Sequence, residues 1–167
     1  MNLDTAVIQR LRDALVQQGH VPEAGAPDAS IGGDVEHRHE TLERFRPFAE
    51  TMFLVAIADG VEDPAEIAAL RGAMNILTAN QLSEDALVDI YQRCKHDVSE
   101  IGVDAYLERI GLRLSMDRMD RETAFTLAAA VALADNRVDG SETALMGSIA
   151  EYFGISNSAS RRLLEEL

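Results

Sequence analysis

The stretch Met52-Phe-Leu-Val-Ala-Ile-Ala-Asp-Gly-Val-Glu-Asp-Pro-Ala-Glu66 decides how this chain is read. Its first seven residues are apolar on every side of a helix, a pattern that requires burial all round. An acidic cluster follows, and within it Asp63-Pro64 has the chemistry of a helix start, with Asp at the N-cap and Pro at the first helical position. The same order returns later. Thr123 to Ala134, TAFTLAAAVALA, reads as a second fully buried helix, and Asp135, Asp139 and Glu142 each stand 76 residues after Asp59, Asp63 and Glu66. The chain is therefore expected to contain two buried helical hairpins, each turning at an acidic corner.

Working outward, further helices follow from apolar spacing. Leu3, Val7, Leu11 and Leu15 recur at four-residue intervals and mark an amphipathic helix over residues 1–18. Residues 19–35 contain GHVPEAGAPDASIGGD, with two prolines and four glycines, and read as a flexible linker. The first helix is therefore expected to dock loosely, or against a partner. From about Glu36 a long helix runs to Ala58. Ile67, Leu70, Met74 and Leu77 line the next helix; Leu87, Ile90, Tyr91 and Cys94 line one capped by Ser83; Val103, Leu107, Ile110 and Leu114 line another. Leu145, Met146, Ile149 and Phe153 face inward on the helix after Asp139. Gly154-Ile155 fits a C′ glycine with an apolar contact behind it, and Ser156 opens a last short helix. Without strand alternation anywhere, the expected fold is all-α, with seven to eight helices and residues 36–167 as the main domain.

Composition agrees. At 167 residues with 47% hydrophobic content the chain can bury one ordinary core. Fifteen Lys and Arg against 29 Asp and Glu give a net charge of −14. Such a surface repels nucleic-acid phosphates and anionic membranes, and suits cations or basic protein partners. The single cysteine, Cys94, excludes an intrachain disulfide. The opening MNLDTAVIQRLRDAL lacks a signal peptide's apolar core, and Leu127–Ala134 is too short to span a bilayer, so a cytoplasmic location is expected. A homo-oligomer is compatible with all of this.

The corners carry the functional question. Capping accounts for four of their acids. In Asp63-Pro-Ala-Glu66 and Asp139-Gly-Ser-Glu142 the Asp accepts from the third helical N–H and the Glu reaches back to the cap, which contributes about 1 kcal/mol per corner. Asp59 and Asp135 are different. Each ends an apolar helix, where the macrodipole disfavours a carboxylate by up to about 1 kcal/mol. Either the free N–H groups of the next helix answer that charge, or a cation does. Asp59, Asp63, Glu66, Asp135, Asp139 and Glu142 are thus the candidate metal ligands. All-oxygen donors select Ca²⁺ or Mg²⁺, but the loop lacks an EF-hand's twelve-residue spacing and central glycine.

A buried helix, the string A-D-G-x-x-D-x-x-E and an amphipathic helix, occurring twice, resembles the TerB-like family of tellurite-resistance-associated proteins. A similar module precedes the J-domain in DjlA-type co-chaperones. The resemblance covers about Phe45 to Leu167. The first copy, Ala58 to Glu66, matches well. The second, Ala134 to Glu142, replaces the corner glycine with Asn136, which tolerates a left-handed turn. The resemblance implies an internally duplicated all-helical fold. It also implies a non-catalytic binding or scaffolding role in a stress-response system, with the acids meeting metal ions or a protein partner. Corners so rich in acids do not look like an oxyanion site, which would want helix N-termini and basic residues.

Other groups have plainer readings. His37 and His39 stand two apart, on nearly opposite sides of a helix, and His20 and His96 have no evident partner ligand. Cys94 sits on an apolar face as a small hydrophobe. Met52, Met74, Met116, Met119 and Met146 read as core filling. G-x-S-x-G, P-loop and H-E-x-x-H patterns are absent. The rival reading is a metal-dependent enzyme using the same carboxylates, which needs a pocket, a base and open coordination positions. A third makes the module a pure protein-interaction unit with structural acidic caps.

Overall fold

Asp34–Ala56 folds as one 23-residue helix, α2, and its apolar segment is buried as its composition demands: Met52, Phe53 and Leu54 are wholly inaccessible. Arg118–Leu133 forms the other apolar helix, α6, with Ala124, Phe125, Leu127 and Ala128 equally buried. These two helices pack against each other and form the centre of the molecule. The other helices of the computed structural model are α1 (Thr5–Gln17), α3 (Pro64–Leu77), α4 (Glu84–Ile101), α5 (Val103–Leu114), α7 (Gly140–Tyr152) and α8 (Asn157–Glu165). Residues 5–21, 34–57, 64–78, 80, 82–114, 116–134 and 140–167 are described, and among them every regular element is helical.

The packing repeats by halves. Helix α3 lies on α2 and on α1; correspondingly α7 lies on α6 and on α5. Helix α4 covers α2 as α8 covers α6, and α1 packs on α6 as α5 packs on α2. Each half thus has four helices, with its first helix lying on the other half's centre. The helix starts repeat too. Ser83 accepts from the Ala86 N–H at 3.2 Å and Ser156 from the Ala159 N–H at 3.3 Å, each closing one free donor at its N-terminus.

In this arrangement α1 is no loose appendage. Ile8 and Leu15 are buried in the common core, and burial at 7, 8 and 15 on α1 matches burial at 106, 107 and 114 on α5. Gly19, His20 and Val21, which the sequence places in the linker, close α1 instead. Gly19 takes φ +76°, its N–H donates to the Val16 carbonyl, and the His20 N–H donates to the Leu15 carbonyl. This is the glycine-terminated motif expected at Gly154, where φ is +65° and Ile155 N–H reaches the Ala150 carbonyl at 2.8 Å. The α1 ending delivers Val21 to the core and sets His20 against Phe48, ring centres 5.0 Å apart. His20 Nε2 then meets Asp120 Oδ1 at 2.6 Å, and Gln18 donates to Thr123 Oγ1 at 3.1 Å. Two contacts thus fasten the end of α1 to the beginning of α6, and the ring contact fastens it to α2. Residues 22–33, the rest of the expected linker, lie outside the described residues.

One close approach fixes how α5 crosses α7. A Cβ at Gly111 would stand 2.7 Å from the Tyr152 carbonyl oxygen, and backbone cannot move aside as a flexible side chain can. Gly111→Ala is expected to force these helices apart and cost about 1–2 kcal/mol, the overpacking penalty less the gain in helix propensity. The midpoint of chemical denaturation measures it.

Candidate functional site

The acidic corners join the central helices to their hairpin partners. Helix α3 begins at Pro64, the residue after Asp63 in sequence, and α7 begins at Gly140, the residue after Asp139. Glu66 and Glu142 therefore occupy the third position of each helix, as the capping pattern requires of the backbone. Asp59, Asp63, Asp135 and Asp139 lie outside the described residues, as do the side chains of Glu66 and Glu142. Among the described residues no cluster of three or more His, Cys, Asp or Glu has metal-site geometry. Both corners are thus placed by topology: each follows the end of a buried central helix and precedes a helix packed on it.

The described part of the molecule has its own charged centre, which the sequence reading missed. Glu50 on α2 is only 6% exposed, and its carboxylate accepts from Arg113 Nη1 on α5 at 2.6 Å. Burial raises the Glu50 pKa above the ordinary 4.5, against the opposing pull of Arg113, Arg46 and Arg109. Cys94 on α4 lies 3.8 Å from the Glu50 carbonyl and is fully buried. Burial, chiefly, pushes its thiol up to about 12, with Tyr106 pulling the other way through a hydrogen bond. A thiol so protonated is no nucleophile at neutral pH. Arg109 lies 4.6 Å over the Tyr106 ring and forms an ion pair with Asp97 of α4. Together these groups fasten α2, α4 and α5. The available signal was a lone acid, Glu50, inside an otherwise apolar helix face, with Arg46 one turn before it.

The remaining candidates resolve simply. His39 is exposed, and the His37 side chain is not among those described. His20 is used in fastening α1. No described helix is long and apolar enough to cross a membrane. Residues 48–165 match the family model described as tellurite resistance protein TerB. No curated protein and no solved structure gave a significant match.

Proposed function

The chain belongs to the TerB family of tellurite-resistance-associated proteins, and from that premise we propose that it works as a non-catalytic binding and scaffolding module in a stress-response system. Its acidic corners hold a divalent cation, Ca²⁺ or Mg²⁺, or in its place a basic surface of a protein partner. The observation that carries this reading is the duplication. An aspartate follows the end of each central helix in sequence, Asp59 three residues after Ala56 and Asp135 two after Leu133, and helix electrostatics oppose a carboxylate at such an end. Four carboxylates fall within the eight residues from Asp59 to Glu66, Glu62 among them, and three within the eight from Asp135 to Glu142. Like charges gathered in this way either take up protons or recruit a counter-ion. A metal-dependent enzyme needs a base and a nucleophile beside the metal. Cys94 is unsuited to that task, being buried and protonated.

Thermal melting tests the proposal. A cation at ten times its dissociation constant adds about 1.4 kcal/mol, a rise of roughly 3–6 °C in a chain of this size. Ca²⁺ or Mg²⁺ is expected to produce that rise in the wild type, and Asp59→Asn with Asp135→Asn to abolish it. Identical melting with and without divalent ions at near-millimolar levels would remove the cation reading.

A further inference from the structure

Residue type alone assigns Met116 and Met119 to the core, and the structure puts both in water. Met116, between α5 and α6, is 95% exposed, and Met119, in the first turn of α6, is 58% exposed. The other described sulfurs are withdrawn from solvent. Met52, Met74 and Cys94 are wholly buried, and Met146 is half-buried; Met1 lies outside the described residues. The two accessible thioethers therefore stand together, three residues apart. They flank Asp117, the N-cap of α6, whose carboxylate accepts from the Met119 N–H at 2.7 Å.

Their position matters because the start of α6 is where the end of α1 is fastened. Asp120, the residue after Met119, meets His20, and Thr123, one turn further on, meets Gln18. Along the same seam Met119 borders a groove of about 240 Å³ with Val7, Leu11 and Ala14 of α1. Helix α6 contributes Met119, Glu122, Thr123 and Thr126 to that groove, so among these Met119 alone is an apolar side chain facing the seam. Oxidation to the sulfoxide turns a flexible apolar side chain into a polar, chiral one. The side chains of Val7, Leu11 and Ala14 have no donor for the new oxygen, and a polar group held against them without a hydrogen bond is unfavourable. The oxidised side chain turns to water and uncovers α1.

We propose that Met116 and Met119 form a modification site for small peroxides, and that sulfoxide formation at Met119 loosens the hold of α6 on α1. A lone pair of the thioether sulfur attacks one peroxide oxygen, the O–O bond breaks and an S–O bond forms. The hydroxide that leaves takes up the remaining proton and departs as water. Sulfur loses two electrons and the peroxide gains them. A thioether needs no deprotonation for this step, so exposure decides which sulfur reacts. Cys94, buried and protonated, does not compete. Met116, almost wholly in solvent, is oxidised with little structural effect; Met119 carries the change to α1. A thiol-dependent methionine sulfoxide reductase reverses it, the oxygen leaving as water while two thiols become a disulfide. The site is separate from the acidic corners and independent of any cation there.

Hydrogen peroxide is the probe, applied to the full chain and followed by peptide mass spectrometry. Met116 and Met119 are expected to gain oxygen at least about tenfold faster than Met52 and Met74, and this preference to vanish in urea. Hydrogen exchange then reads the consequence. After oxidation the amides of α1 should exchange at least about threefold faster while those of α4 stay unchanged. Met119→Leu should abolish the response of α1, and Met119→Gln should reproduce it without peroxide; the position is exposed, so both variants fold. Treatment with methionine sulfoxide reductase and a dithiol should restore the original exchange. Equal oxidation rates for all four methionines in the native chain overturn the proposal. So does exchange in α1 that oxidation leaves unchanged, or an increase that persists in Met119→Leu.

Discussion

Leu15→Ala is expected to destabilise the whole protein by about 3 kcal/mol, the usual cost of emptying a fully buried leucine site. Leu15 has no exposed surface and lies in the same core as Phe45, Phe48 and Phe125. Were α1 a loosely docked arm, the substitution would leave the main transition within about 0.5 kcal/mol of wild type. The repeat sharpens the expectation. Leu114, the matching residue of α5, is 2% exposed, so Leu114→Ala should cost a similar amount. Urea denaturation followed by circular dichroism compares the two. A single transition shifted equally by both substitutions supports the paired roles of α1 and α5. A separate, low-concentration phase lost only in Leu15→Ala would contradict them.

The second large effect concerns the clamp. Arg113→Ala leaves the Glu50 carboxylate buried without its closest cation, and should cost about 3 kcal/mol at pH 7. The pH dependence identifies the cause. Glu50 already titrates above its ordinary 4.5 in the folded chain because burial disfavours its charge. The folded state therefore holds this proton more tightly than the unfolded state does. The resulting stability is full below about 4.5 and is lost as pH rises through the folded value. Removing Arg113 raises that folded value further. The cost of Arg113→Ala should accordingly shrink from pH 7 to pH 5, and Glu50→Gln should remove this dependence. Denaturation midpoints across that range decide it; an equal loss at both ends would show that the carboxylate's charge is not responsible.

The all-helical fold was legible because its strongest signals are local. Apolar content all round marked α2 and α6, and Ser83, Ser156 and Gly154 mark helix ends through hydrogen bonds to their nearest neighbours. The duplication of the central hairpins was legible because no insertion separates Asp59 from Glu66 or Asp135 from Glu142 differently. The partnership of α1 with α5 was hidden for the opposite reason. Sixteen residues separate α1 from α2 and three separate α5 from α6, and α2 has 23 residues against 16 in α6, so matching buried positions of α1 and α5 fall 99 residues apart while those of the central hairpins fall 76 apart. Gly19 misled for a related cause: in a run of glycines and prolines, a helix-ending glycine looks like the first residue of a linker. The Glu50–Arg113 clamp joins residues 63 apart in sequence, on helices whose facing sides only tertiary packing decides. The candidate ligands at the corners were legible as a pattern alone, since their side chains lie outside the described residues.

Calorimetric titration of Ca²⁺ and Mg²⁺ into the full chain at low ionic strength tests the central claim most directly. The account predicts saturable binding to the wild type, weakened by Asp59→Asn or by Asp135→Asn and lost when both are made. Heats no different from dilution for both ions, or binding that survives the double substitution, would contradict it.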